Sequence, residues 1–538
     1  MRRRPLTRSS SILIAALACA IGVTACAQNE PMETGAQLAA AADGPADQGP
    51  PLPQNLNGDL ALGQQVFRFE TFGNEGFWTD AVRLPAGMME KKVTPYQALQ
   101  LGLQVDVDAV DPAMKAQLAE QLRRDPSGKT SSIMNDPAVT MALVKANAVI
   151  GMSPRNGKVG ASCAMCHAIT DASVFRAPNG GSIGKRVDGP GNPFIDVGAI
   201  FAAAANSRAL YPVLQLKLAA NKGKTIGRGS HKGLDENSTE AEVDAYLMDK
   251  RSYPVGMFDD SFDGNGNPMH NSPLFEQDLA APYGTEGTLT KIEDFSNLVF
   301  TTLFDQTMLT TPGGRAFVNK LAGPAGDEMI NDYVRILRET GVTGYPFVTR
   351  QAQLAGMPGT LETPIGFRVD NRSLLAMNAY LAALTSPPGD KRNPQAIARG
   401  REVFRTSGCT GCHNVDPRAI VPTTIHPMAR IFPGDRPMVL APRTPPLNPV
   451  VNTMESIFDD KMAVVNASIR GEKRGIGLPL LLDLARKDVF LHDDSVKGLE
   501  QLFNPSRGRN SPHPFFLTDA RRRADVAAFL RSLDTSTR

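Results

Sequence analysis

Cysteine is scarce in this chain: six in 538 residues, alongside seven histidines, eight tyrosines and a single tryptophan. So few cysteines over such a length exclude a disulfide-dense scaffold, and stability must come from buried apolar surface. Long apolar runs are missing too. Apart from residues 12–23, no stretch approaches the about 18 uninterrupted apolar residues of a spanning helix. Net charge is small, with 57 Lys and Arg against 55 Asp and Glu. That balance gives no electrostatic case for nucleic-acid binding, so no nucleic-acid partner is expected. A hydrophobic content of 42% and a charged content of 21% describe an ordinary globular chain. Its length leaves room for about three domains.

The first residues differ from the rest. Arg2, Arg3, Arg4 and Arg8 precede the apolar run, which is too short to cross a membrane. It ends in Val23-Thr24-Ala25-Cys26, similar to a bacterial lipoprotein cleavage site. Residues 1–26 are therefore read as a lipoprotein signal peptide with Cys26 as the lipidated residue, ordinary secretory cleavage nearby being the alternative. The expected location is the periplasmic side of a Gram-negative envelope, with membrane contact through the lipid anchor only. Ala27, rather than Asp, follows the cysteine, which favours the outer membrane. Residues 27–58 are rich in Ala, Pro, Gly, Gln and Asp and read as a flexible linker.

Against these scarcities stand two copies of one string, Cys163-Ala164-Met165-Cys166-His167 and Cys409-Thr410-Gly411-Cys412-His413. Each reads C-x-x-C-H, the attachment signature of c-type haem. Two thiols three positions apart can each form a thioether to one vinyl group of a porphyrin, and the following histidine becomes the proximal iron ligand. A lone C-x-x-C is equally a redox dithiol or half a zinc site. Two copies, each closed by His and together using four of six cysteines, favour two covalently bound haem c groups, with Cys163, Cys166, Cys409 and Cys412 attached and His167 and His413 on the irons. Cys19 leaves with the signal and Cys26 takes lipid, so no cysteine is left for a disulfide.

The fold class follows from patterning: mainly α with long irregular loops and a few short hairpins at most, in two cytochrome c-like modules in tandem, the first greatly enlarged. The first module spans 59–386 and the second 394–538, with Ser386-Pro-Pro-Gly-Asp390 as the boundary. Each opens on a Gly-x-x-x-Phe helix, Gly63 to Phe67 and Gly400 to Phe404. Each closes on an apolar helix, Leu374 to Leu384 and Asp519 to Leu533. The loop Gly184 to Pro193 suits a chain passing close to a porphyrin edge. Asp263-Gly-Asn-Gly-Asn267 imitates the start of a calcium loop, making calcium a second cofactor to consider. Pro268 and Leu274 break that pattern, and a plain turn is the simpler reading. Trp78, Tyr283 and Phe295 read as packing aromatics, and His231 and His270 as exposed loop histidines.

Val489 to Phe503, reading VFLHDDSVKGLEQLF, is similar to the His-Asp-Gly-Ser segment that follows the second haem in the bacterial di-haem cytochrome c peroxidase superfamily, with Asp494 in place of Gly. A narrower resemblance, to rubber oxygenases, rests on Thr71 to Asp80, Cys163 to His167, the Arg186-Val-Asp-Gly stretch and the surroundings of His513. The resemblance implies an exported oxidoreductase in which the N-terminal haem meets peroxide or oxygen and the C-terminal haem, six-coordinate, relays electrons. The alternatives are a dioxygenase cleaving an apolar alkene and a non-catalytic electron-transfer cytochrome. The implied partners are a small redox substrate (peroxide, oxygen or an apolar organic) and a periplasmic electron-donor protein. His513 stands where rubber oxygenases place the sixth ligand of their second haem; Met438, Met428 and His426 are the alternatives, and His492 has a structural or inter-haem role in the superfamily.

Overall fold

The first described helix is α1 (Leu60–Phe69). Asp59 caps it by accepting from the Leu62 amide, and Val66 and Phe67 turn inward. The computed structural model describes residues 58–214, 234–250, 254–258, 269–280, 283–284, 289, 291–322, 325–348, 352–353, 365–413, 415, 425–427, 475–477, 479–491, 496–508, 513 and 515–536, all within the unit Asp43–Arg538. Cys26, His231, the segment from Asp263 to Asn267, Met428, Met438 and His492 lie outside these residues.

Helices predominate among the described residues, and sheets are small. Proline or a capping Asp or Thr starts several helices, including Pro95–Gln100, Pro112–Arg124 and Pro137–Lys145. The longest strands, Met152–Arg155 and Lys158–Ala161, form a four-residue hairpin. Sheet is not confined to hairpins: Val105–Asp106 pairs in parallel with Ser182–Gly184, which makes a three-stranded sheet with Phe175–Arg176. Residues 197–220, rich in alanine and leucine, read as helical from composition, but Val197–Ala202 ends early and a tight turn over Ser207–Leu210 follows.

A one-turn helix, α2 (Ala164–His167), carries the first string. It runs directly into β1 (Ala168–Thr170), which pairs antiparallel with β2 (Arg186–Asp188). Later come α3 (Asn371–Ala383), α4 (Pro394–Thr406) and α5 (Ala520–Arg531), capped by Asp370, Asn393 and Asp519.

One packing device occurs twice. A Cβ on Gly63 of α1 would lie 2.0 Å from the Ala376 carbonyl oxygen of α3. A Cβ on Gly400 of α4 would lie 1.9 Å from the Asp525 carbonyl oxygen of α5. Only glycine lets these backbones approach so closely. Four residues on, Phe67 and Phe404 are both buried, facing Tyr380 at 5.9 Å and Phe529 at 5.5 Å between ring centroids. Such aromatic pairs are worth about 0.5–1.5 kcal/mol beyond their buried area.

Buried side chains fall into three clusters. The first is built on Phe77, Trp78, Leu99, Tyr211 and Tyr333, and the second on Phe67, Phe300, Met308 and Met377. The third draws only on residues 397–533, with Phe404, Leu499 and Phe529 at its centre. The boundary at Ser386–Asp390 is a strap hydrogen-bonded to the chain end. Ser386 and Thr535 exchange two bonds of 2.8 and 3.0 Å, Gly389 N–H donates to Asp534 at 2.9 Å, and Asp390 N–H donates to the Arg531 carbonyl at 2.8 Å. Proline and glycine there make a bend whose polar groups are paired.

Candidate functional site

The first C-x-x-C-H string sits on the seam between two cores, with Cys163 packed against the second cluster and Met165 and Cys166 against the first. Four attachments hold it. The Ser162 hydroxyl donates to the Arg68 carbonyl at 2.7 Å. Gly189 N–H donates to the His167 carbonyl at 2.9 Å, and Asn192 N–H to the Cys166 carbonyl at 2.8 Å. The preceding strand is clamped by Asn74, whose amide nitrogen donates to the Ala161 carbonyl at 2.8 Å while its oxygen accepts from Ala161 N–H at 2.9 Å. The stretch from Glu70 to Asp80 fastens the same hairpin elsewhere: Thr79 bonds both polar groups of Val159, Lys158 pairs with Asp80, and Arg155 pairs with Glu70 at 2.9 Å. That aromatic-rich segment is thus a platform for the string, and its Trp78 is packed between Phe77 and Phe201.

His167 Nδ1 lies 2.8 Å from the Ser272 carbonyl oxygen. A carbonyl can only accept, so Nδ1 carries the proton and Nε2 the lone pair, the arrangement that metal-bound histidines use. Burial holds the imidazole neutral, with its pKa lowered to about 4. The Cys163 Sγ lies 3.9 Å from the buried Met377 Sδ of α3. None of Cys163, Cys166, Cys409 and Cys412 is in a disulfide. Burial pushes the Cys163 and Cys166 thiols up to about 12 and the Cys409 thiol to about 11. A redox dithiol needs its thiol pKa lowered, and burial shifts these three thiols the other way.

Next to β1 is a polar network. Asp188 of β2 accepts from Arg68 Nε at 2.6 Å and from the Tyr380 hydroxyl at 2.6 Å. Arg186, on the same face of β2, pairs with Asp106 at 3.1 Å and stacks 4.9 Å over Phe69. Its side chain is only 3% exposed, and its Nη1 has no hydrogen-bond partner. A buried guanidinium nitrogen left over in this way is a donor of the kind a carboxylate takes, and haem carries two.

The second string is built differently. Cys409–Gly411 is a single tight turn after α4, entered through Gly408 in the left-handed region at φ +79°, and Thr410 and Gly411 are exposed. His413 and His513, 100 positions apart, face one another with ring centroids 6.3 Å apart and planes at 47°. Two imidazoles bound to opposite sides of one metal at about 2 Å each have centroids about 6 Å apart. His513 has φ +53°, an uncommon conformation for a residue other than glycine, and no partner at its buried Nδ1. Burial, then the charges of His413 and Arg507, lower its pKa to about 3 and keep it in the neutral form that binds metal. Phe503 at 6.1 Å and Phe515 at 5.2 Å flank the ring.

The structure therefore brings together Cys163, Cys166 and His167 in one place and Cys409, Cys412, His413 and His513 in another. His426 lies in Ile425–Pro427, paired with Gly475–Gly477. His270, expected in an exposed loop, is half-buried, because Met269–His270 pairs with Met257–Phe258. Tyr283 is buried with its hydroxyl donating to the Gln277 carbonyl at 2.6 Å, as a packing residue would be. Asn74, Ser162 and Ser272 carry no chemical motif in the sequence. No helix among the described residues is long and apolar enough to cross a membrane.

No family model matches the chain. It is 36% identical over 52 residues to the cbb3-type cytochrome c oxidase subunit CcoP of Helicobacter pylori, in strain ATCC 700392 / 26695 and equally in strain 52. That match takes in 10% of this chain and 18% of the subunit, so the chain spans under a fifth of the length of these curated relatives. Among solved structures it is similar to Kuenenia stuttgartiensis hydrazine synthase pressurized with 20 bar xenon, at 15% identity over 61% of this chain and 88% of that one, with a TM-score of 0.24. Over that short stretch the chain is similar to a c-type cytochrome subunit.

Proposed function

We propose that this chain is an exported, lipid-anchored di-haem c-type oxidoreductase on the periplasmic side of a Gram-negative outer membrane. Two unequal haem sites would divide the work. The 6.3 Å separation of the His413 and His513 rings carries this reading. Cys163, Cys166 and His167 would hold one haem. Cys409, Cys412, His413 and His513 would hold the other. Haem iron supplies one-electron redox chemistry and, where one axial side is left to a small ligand, reduction of peroxide or oxygen.

The residues have distinct duties. Ser272 fixes the His167 tautomer through Nδ1, which aims the Nε2 lone pair away from that carbonyl. His513 closes the second site to small ligands, and Phe503 and Phe515 hold its ring. The side opposite His167 is assigned to peroxide or oxygen, and the second haem to electron relay, on the resemblance to di-haem peroxidases. The repeated contact of Gly63 with Ala376 and of Gly400 with Asp525 supports two tandem modules of one ancestry.

A carbon monoxide titration of the reduced protein, counted per chain, tests the inequality. The natural chain should take one ligand and His513→Ala two, with the total haem unchanged because the thioethers and His413 remain. Two ligands on the natural chain would overturn the division of labour, none would favour a pure electron carrier, and one on the variant would move the sixth ligand to Met428 or Met438.

A further inference from the structure

The two modules differ in charge. Residues 59–386 hold 30 Lys and Arg against 35 Asp and Glu, whereas residues 394–538 hold 21 against 15. Much of the excess lies where the second string meets solvent. Helices α4 and α5 run antiparallel: Gly400 packs at Asp525, and further along Arg522 donates to the Ser407 hydroxyl at 3.2 Å. The C-terminal end of α4 and the N-terminal end of α5 therefore lie side by side, immediately before Cys409. Arg405 stands on one of these ends and Arg521, Arg522 and Arg523 on the other, with Arg399 and Arg401 at the middle of α4, against Glu402, Asp519 and Asp525.

Pairing uses up part of this set. Arg405 pairs with Glu402 at 2.6 Å and Arg399 with Asp525 at 2.7 Å, while Arg523 donates to the Leu517 and Thr518 carbonyls. Arg401, stacked 5.0 Å from the Phe529 ring, and Arg521 and Arg522 have no carboxylate within salt-bridge distance among the described residues, and all three are exposed. Close to His513, Phe515 is 46% exposed although its ring meets the histidine edge-on at 5.2 Å. An exposed aromatic in contact with His513, on a segment of net positive charge that also presents three exposed arginines, combines a short path for an electron with a field that steers an anion.

We propose that this face docks a one-electron carrier protein with an acidic surface, which gives one electron to the second haem, the carrier being oxidised and ferric haem reduced to ferrous. The proposal rests on the assignment of electron relay to the His413–His513 site. It adds the sign of the partner's surface and the residues that meet it, Arg401, Arg521, Arg522 and Phe515.

The test uses the full haem-loaded chain and a reduced plant-type [2Fe–2S] ferredoxin as acidic donor, followed by stopped flow. The rate should fall steeply between low and physiological salt, because the Debye length shrinks to about 8 Å. Arg401→Glu/Arg521→Glu/Arg522→Glu should be about tenfold slower or more at low salt, and the matching Gln triple intermediate. Reduction by hexaammineruthenium(II), a small cation, should not slow. An unchanged ferredoxin rate in a variant with a normal low-spin spectrum would overturn the proposal. So would variants that lose binding to phosphatidylglycerol vesicles while keeping the ferredoxin rate, since the face would then serve a lipid surface. A second haem that is not low-spin in the natural chain would instead overturn the underlying relay assignment.

Discussion

The same five-residue string lies in two opposite settings. Around Cys163 it is stitched into the seam of two cores by Ser162, Gly189, Asn192 and, one strand back, Asn74. Around Cys409 it is a turn with Thr410 and Gly411 in solvent, and His513, 100 positions beyond His413, lies against it. On the function proposed above, what surrounds the string decides whether an iron would be shielded and held for chemistry or placed near the surface for exchange of electrons.

The largest break in that comparison comes from removing attachment. Cys163→Ala/Cys166→Ala and Cys409→Ala/Cys412→Ala should each halve the covalent haem measured by pyridine haemochrome. The first should also lower the melting temperature strongly, because both clusters that meet at α2 lose a filler. The second should leave the melting of the first two clusters near that of the natural chain, since the third cluster draws only on residues 397–533. Retention of both haems by either variant would remove the assignment of that string.

A smaller contrast lies in two glycines. Gly189, the residue whose N–H holds the His167 carbonyl, has φ +105°, and a Cβ there would lie 2.2 Å from Phe275 Cε1. Gly189→Ala should therefore cost about 2–4 kcal/mol, combining left-handed strain with overpacking. It should also perturb the spectrum of the first haem alone. A Cβ on Gly411 would meet nothing within 4 Å. Gly411→Ala should stay within about 0.5 kcal/mol of the natural chain. Equal effects in thermal melts would mean that the first string is not strapped as described.

Much of this arrangement was legible in the sequence, for physical reasons. C-x-x-C-H has one spacing because the porphyrin has one spacing, and Asp or Asn ahead of an apolar run marks a helix start, as at Asp59, Asp370, Asn393 and Asp519. The Gly-x-x-x-Phe pair was visible as a repeat, although its reason, a helix–helix contact through a carbonyl, was not. Ser272 could not be found because the group used is a backbone carbonyl, which every residue has. Asn74 acts on a backbone 87 positions away, and no local period reports such a clamp. His513 was reachable only through the resemblance, since no fixed spacing links it to His413. The hydrogen bonds of Ser386–Asp390 to the chain end were not legible, because Pro and Gly signal a bend whether or not its polar groups are paired.

The smallest expected effect concerns a buried acid on the first side. Asp305 is fully buried, and its carboxylate accepts from Thr307 N–H at 2.9 Å, the Thr307 hydroxyl, Phe347 N–H at 3.0 Å and Val348 N–H at 2.7 Å. Desolvation outweighs these bonds and raises its pKa from 3.8 to about 6. A carboxyl whose pKa is higher in the folded state than in the unfolded state adds stability that is complete below the unfolded value and is lost as pH rises through the folded one. Between about pH 6 and pH 4, acidification should therefore strengthen this corner by about 2 kcal/mol at most. Asp305→Asn should be weaker at every pH, because its amide nitrogen would confront N–H donors, and should lack the pH-dependent gain. Hydrogen exchange at the Thr307, Phe347 and Val348 amides, corrected for intrinsic rates, reads this locally. The gap between natural chain and variant should widen on going from pH 6.5 to pH 4. The amides of Phe529 and Leu530, in the third cluster, should show no such difference, and a matching change there would mean that the acid's titration is felt across the clusters.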